Sequence, residues 1–92
     1  MRLKWDEPRP DGTLYSDLRR VGNAEIDAWL EHTPTGWQAN IEIDFDWRNG
    51  SLTLGWDLHT RTHDLAAAQA RVEQEADALL ARVRELARRR RA

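Results

Sequence analysis

Trp37-Gln38-Ala39-Asn40-Ile41-Glu42-Ile43-Asp44-Phe45-Asp46-Trp47 is the stretch on which the reading of this chain turns. Apolar side chains take every odd position and polar ones every even position. Strand side chains alternate with a period of two, so the stretch predicts a half-buried β-strand with Gln38, Asn40, Glu42, Asp44 and Asp46 on one face. Upstream, residues 24–31 set Ala24, Ile26, Ala28 and Leu30 against Glu25, Asp27, Trp29 and Glu31. Downstream, residues 51–59 set Leu52, Leu54, Trp56 and Leu58 against Ser51, Thr53, Gly55, Asp57 and His59. Thr33-Pro34-Thr35-Gly36 and Asn49-Gly50 separate the runs. Both are turn signals, and Asn-Gly tolerates the positive φ of a two-residue type I′ hairpin.

A turn at Asn49-Gly50 pairs Arg48 with Ser51. It sets Trp47 against Leu52, Phe45 against Leu54, Ile43 against Trp56 and Ile41 against Leu58. A turn over residues 33–36 pairs His32 with Trp37, Ala28 with Ile41 and Ile26 with Ile43. Apolar meets apolar throughout, and a slip by one residue would turn each strand inside out. These registers place Asp27, Glu42 and Asp57 in one row across three strands. Glu25 and Asp44 form the next row beside Gly55. Asp46 lies opposite Thr53, and Trp29, Asn40 and His59 form a further row.

From Asp64 the period lengthens. Leu65, Ala68, Val72, Ala76, Leu79, Val83 and Leu86 recur at three and four, which predicts a helix over residues 64–90 capped by Thr62 or Asp64. At ~1.5 Å per residue it would be about 40 Å long. The expected fold is α+β: a three-stranded antiparallel β-meander, or four strands if the N-terminus adds one, covered on one face by one long C-terminal α-helix. The chain reads as a single β-β-β-α domain over 1–92, with 1–23 an N-terminal arm or extra strand and 88–92 a basic tail. Leu3 and Trp5 suggest a short strand, and Pro8, Pro10 and Asp11-Gly12 a turn. Residues 13–21 fit either an extended or a helical course. Eight strand residues span about 27 Å, so the last helical turns project and are free to pair with a second copy.

The strands and the sheet-plus-helix order, with Gly36-Trp37 opening a strand, resemble small phage-encoded proteins and the sheet domains of phage integrases. Integrase-type sheets that read DNA present basic residues. This one presents Glu42, Asp44 and Asp46, so the resemblance does not imply DNA reading.

The 92 residues include 14 Lys and Arg, 16 Asp and Glu, five Trp and no Cys. One domain fits that length. Without cysteine there is no disulfide scaffold and no thiolate metal site. No apolar run reaches membrane-spanning length and the N-terminus has no apolar signal core, so a cytoplasmic location is expected. Residues 1–23 carry a net charge of +1, residues 24–59 of −6 and residues 60–92 of +3.

The acidic middle is the informative feature. Like charges directly opposite each other weaken a sheet, and within residues 24–59 only Arg48 compensates. One reading is a solvated face that prevents sheets from stacking. Another is a surface for a basic partner, including one that imitates nucleic-acid phosphates, with Trp29 as apolar anchor. Its candidate residues are Glu25, Asp27, Trp29, Glu42, Asp44, Asp46, Asp57 and His59. A cation site from Glu42, Asp44, Asp57 and His59 is disfavoured, because an open convex sheet does not enclose an ion and the spacing is not that of a calcium loop. Close carboxylates predict raised pKa values by repulsion. The alternative site is basic: Arg82, Arg84, Arg88, Arg89, Arg90 and Arg91 can neutralise phosphates, although cations also suit a helix C-terminus.

Catalytic signals are missing. Ser16 and Ser51 have no triad partners in sequence, His59 and His63 straddle the strand–helix junction, and no glycine-rich phosphate loop occurs. The expectation is a non-enzymatic interaction module without cofactor or metal. Its most concrete version is a phage or mobile-element accessory or inhibitor protein that meets a basic protein surface.

Overall fold

The computed structural model describes residues 1–47 and 50–91, with side chains other than those of Trp47, Arg90 and Arg91. The elements are β1 (Thr13–Tyr15), β2 (Arg19–Val21), β3 (Ala24–Thr33), β4 (Gly36–Trp47), β5 (Gly50–His59) and α1 (Leu65–Arg91). The sheet is antiparallel and five-stranded, in the order β1-β3-β4-β5, with β2 also paired to β3. The α+β reading therefore stands, and the strand count rises to five.

The inner face follows the alternation. Leu14, Ala24, Ile26, Leu30, Ala39, Ile41 and Ile43 are fully buried, and Phe45 nearly so. The helix lays Ala68, Val72, Ala76 and Leu80 against them. Asp64 caps its start, its Oδ2 accepting the Ala67 amide at 2.9 Å. The apolar stripe differs from the expected one at its far end. Leu80 is buried where the spacing pointed to Leu79, and Leu86 is 52% exposed. Glu73, Asp77, Leu80 and Arg84 share one flank of the helix, and the N-terminal segment covers that flank. Glu73 accepts the Leu3 amide, Asp77 pairs with the Met1 amino group, and Arg84 donates to the Val21 carbonyl.

The first hairpin has the expected register: Ala28 faces Ile41, Ile26 faces Ile43 and His32 faces Trp37. The second is shifted by two residues. Trp47 pairs with Gly50, Phe45 with Leu52, Ile43 with Leu54, Ile41 with Trp56 and Ala39 with Leu58. Gly50 thus opens β5 instead of sitting in the turn, with φ 145, a value that favours glycine. Arg48 and Asn49 of the expected turn lie outside the described residues. A two-residue slip keeps every side chain on its face, so burial alone does not separate the two registers.

Residues 1–23 form the second edge. Tyr15 faces Trp29 and Arg19 faces Ile26. Three residues, 16–18, thus oppose only Asp27 and Ala28, which is a β-bulge. Ser16 secures it: its Oγ accepts the Ala28 amide and its own amide bonds the Ala28 carbonyl. The bulge interrupts the alternation over residues 13–21, which is why that segment read ambiguously. Outside it runs the N-terminal arm, with Trp5 bridged to Ser16 and bonds from Asp6 to Tyr15 and from Asp17 to Lys4.

Candidate acidic interaction face

The outer face is built from the odd residues of β3 and β5 and the even residues of β4. Its rows follow the observed registers. Tyr15, Trp29, Asn40 and Asp57 form one, and Asp27, Glu42 and Gly55 the next. Arg20, Glu25, Asp44 and Thr53 come third, then Asp46 with Ser51. The expected Asp27–Glu42–Asp57 row is therefore incorrect. The two-residue shift puts Gly55 beside Glu42 and moves Asp57 next to Asn40, whose Nδ2 donates to its Oδ1 at 3.0 Å.

Compensation comes from a residue the sequence reading did not assign to the face. The Arg20 guanidinium on β2 bonds Glu25 at 2.6 Å and reaches Asp46 at 3.4 Å. The Thr53 hydroxyl donates to Asp44. Of the six carboxylates named for the face, Asp27 and Glu42 alone have no hydrogen-bonding or ion-paired side chain among the described residues. They face each other directly, so their Cβ atoms lie about 5 Å apart.

Asp27 carries the electrostatic consequence. Burial raises its pKa above 3.8, and the charges of Glu42 and Asp44 add to the rise. Desolvation is the larger cause, where the sequence pointed to repulsion alone. A raised carboxyl holds its proton more tightly in the folded state. Its contribution to stability is complete below pH 3.8 and is lost as pH rises through the folded value. Asp27→Asn should therefore stabilise the protein at pH 7, by about 0.5 kcal/mol after solvent screening, or roughly 2–4 °C in Tm. Melting curves of both proteins between pH 3 and pH 7 measure this, and the gap should close at the acid end.

Trp29 is half-buried between Tyr15 and Asn40, the Tyr15 ring itself lying 4.5 Å under the Arg9 guanidinium. His59 is placed differently from the expectation. Its Nε2 bonds the Thr35 hydroxyl at 2.9 Å and its Nδ1 accepts the Arg61 amide at 3.0 Å. It belongs to the end of the molecule where the β3–β4 turn meets the start of the helix. His32 and His63 also meet there, at 2.9 Å between ring nitrogens, and His32 packs on Trp37. That contact joins positions 31 apart, and no local pattern signals it.

The basic end is partly engaged within the chain. Arg84 holds the Val21 carbonyl at 2.7 Å, and Arg88 and Arg89 pair with Glu85. Arg82 is exposed. The side chains of Arg90 and Arg91 lie outside the described residues. A shallow depression beside the bulge is lined by Arg2, Leu3, Lys4, Asp17, Leu18, Arg19 and Arg20. No three His, Asp or Glu side chains among the described residues converge as metal ligands, and no described helix is long and apolar enough to cross a membrane. The chain matches no family model, no curated protein and no solved structure.

Proposed function

We propose that this chain is a small non-enzymatic interaction module that presents the β3–β4 acidic face to a basic protein surface. Its most concrete form is a phage or mobile-element accessory protein. The observation that carries the reading is the Asp27–Glu42 couple at the centre of the face, which has no side-chain partner among the described residues. Around it Arg20, Thr53 and Asn40 satisfy Glu25, Asp46, Asp44 and Asp57, so the chain has the means to neutralise carboxylates and leaves these two unmatched. Proteins commonly retain such a cost where a surface meets a partner. Trp29, one row away, adds apolar area of the kind that anchors interfaces.

Glu42→Lys separates this reading from a merely solvating face. A lysine opposite Asp27 relieves repulsion, so the variant should melt at or above the parent temperature. Titrated with an arginine-rich peptide and followed by tryptophan fluorescence, the parent should bind in a salt-dependent manner. The variant should bind at least about tenfold more weakly, a loss of roughly 1.4 kcal/mol. Equal binding by both proteins would leave the face a solvating one. Nucleic-acid binding through the arginine end draws less support, since Arg84, Arg88 and Arg89 already have partners. A parallel titration with duplex DNA should show no saturable binding.

A further inference from the structure

The free long edge of the sheet belongs to β5, and four observations about it converge. The first is its hydrogen-bonding inventory. The Thr60 amide donates to the Trp37 carbonyl, so even residues of this strand turn their backbone groups toward β4. Ser51, Thr53, Gly55, Asp57 and His59 therefore point theirs outward. No backbone bond to them occurs among the described residues.

The second is the absence of protection. Exposed edges are ordinarily guarded by proline, lysine, a bulge or an inward-pointing charge. Residues 50–59 contain none of these, and Asp57, on the outer face, is their one formal charge. The opposite edge, by contrast, is broken by the bulge and covered by the N-terminal arm.

The third is apolar surface continuous with the edge. Leu52 is 44% exposed, and Leu54, Trp56 and Leu58 are half-buried on the inner face. The helix packs against β4 and leaves this strip incompletely roofed.

The fourth is Gly55. It sits mid-strand, where glycine is unfavourable, and a Cβ there would meet nothing within 4 Å. Among the described residues, nothing around this position requires glycine. Glycine in a strand often marks the close approach of another backbone.

We infer that β5 pairs antiparallel with β5 of a second copy about a two-fold axis at Gly55, joining two sheets into one. The register is self-complementary. Gly55 meets its equivalent, Leu54 meets Trp56, Leu52 meets Leu58, Thr53 meets Asp57 and Ser51 meets His59. Apolar faces apolar, and the two Asp57 carboxylates lie roughly 13 Å apart along the strand direction. The joined edge is about 30 Å long at ~3.3 Å per residue. One joined strand edge lies at the small end of specific interfaces, so the dimer is concentration-dependent.

Sedimentation velocity over a dilution series, with residue-resolved amide exchange on the unmodified protein, tests this. Twice the chain mass is expected at the upper concentrations. The amides of Ser51, Thr53, Gly55 and Asp57 should become protected as the dimer forms, while those of Leu54 and Trp56 stay protected throughout as internal controls. Leu52→Lys puts an inward-pointing charge on the edge at a site already exposed in the monomer, and should weaken dimerisation at least about tenfold. A monomer at every concentration, a dimer whose outward β5 amides still exchange as an open edge, or a Leu52→Lys dimer as tight as the parent would each overturn the proposal. Should that variant fail to fold, the exchange pattern of the parent decides the question.

Discussion

Gly36→Ala should destabilise the protein by about 3 kcal/mol, enough to lower Tm by roughly 12–24 °C in a domain of this size. Gly36 has φ 127, a conformation that side-chain-bearing residues rarely adopt. A Cβ there would lie 2.9 Å from both the nitrogen and the oxygen of Thr62, and 3.2 Å from the Arg61 carbonyl carbon. These are backbone atoms, so no side chain can swing away to make room. The Arg61–Thr62 segment must move instead, and it is the hinge between β5 and the helix. The Trp37 amide donates to the Thr62 carbonyl at 2.9 Å, the Trp37 indole donates to the His63 carbonyl at 3.0 Å, and Thr60 bonds the Trp37 carbonyl twice. Each such bond contributes about 1 kcal/mol net, and a misplaced buried partner costs more. Urea unfolding followed by tryptophan fluorescence measures the change. A loss below about 1 kcal/mol would mean that the segment yields freely and does not clamp the helix start.

Ile41→Ala should cost about 3–4 kcal/mol with little change in the denaturant slope. Ile41 is fully buried on the central strand, paired with Ala28 on one side and Trp56 on the other. Ala28 is too small to fill the gap and β4 is held by strands on both sides, so the site cannot collapse. Deletion of three carbons then carries both the transfer and the cavity penalty. Small domains are stabilised by only about 5–15 kcal/mol, so this one substitution removes a large share. Equilibrium unfolding gives the value directly. A cost near 1 kcal/mol would show that Trp56, half-exposed on β5, swings in to occupy the space.

Both substitutions act on the scaffold, whereas those at Asp27 and Glu42 act on the face it carries. The scaffold residues are buried and single-valued: one shape fits. The face residues remain in contact with water, so changes there are small in stability and are expected to be large in recognition. That contrast is what makes charge reversal at Glu42 informative, because improved folding and impaired binding are predicted from one substitution.

The parity of residues 24–31, 37–47 and 51–59 was legible from the chain alone. Alternation is a local property, set by successive Cβ atoms pointing to opposite sides of a strand. It sufficed to send Glu25, Asp27, Glu42, Asp44, Asp46 and Asp57 to one surface and Ile41, Ile43 and Phe45 to the other. The helix was legible for the same reason, and its cap was narrowed to Thr62 or Asp64, since period and capping residue lie within a few positions of each other. What stayed hidden depended on non-local choices of nearly equal local energy. A two-residue shift between β4 and β5 preserves every inside–outside assignment, so it changes which carboxylates are neighbours without changing which residues are buried. The bulge at Ser16 breaks alternation, and so concealed the strand that brings Arg20 to Glu25. Leu80 replaced Leu79 because the N-terminal arm, more than sixty residues away in sequence, covers one flank of the helix. Sequence periodicity settled the direction of the side chains in β3, β4 and β5; turn geometry and packing between distant segments settled their neighbours, because only there do competing registers differ in energy.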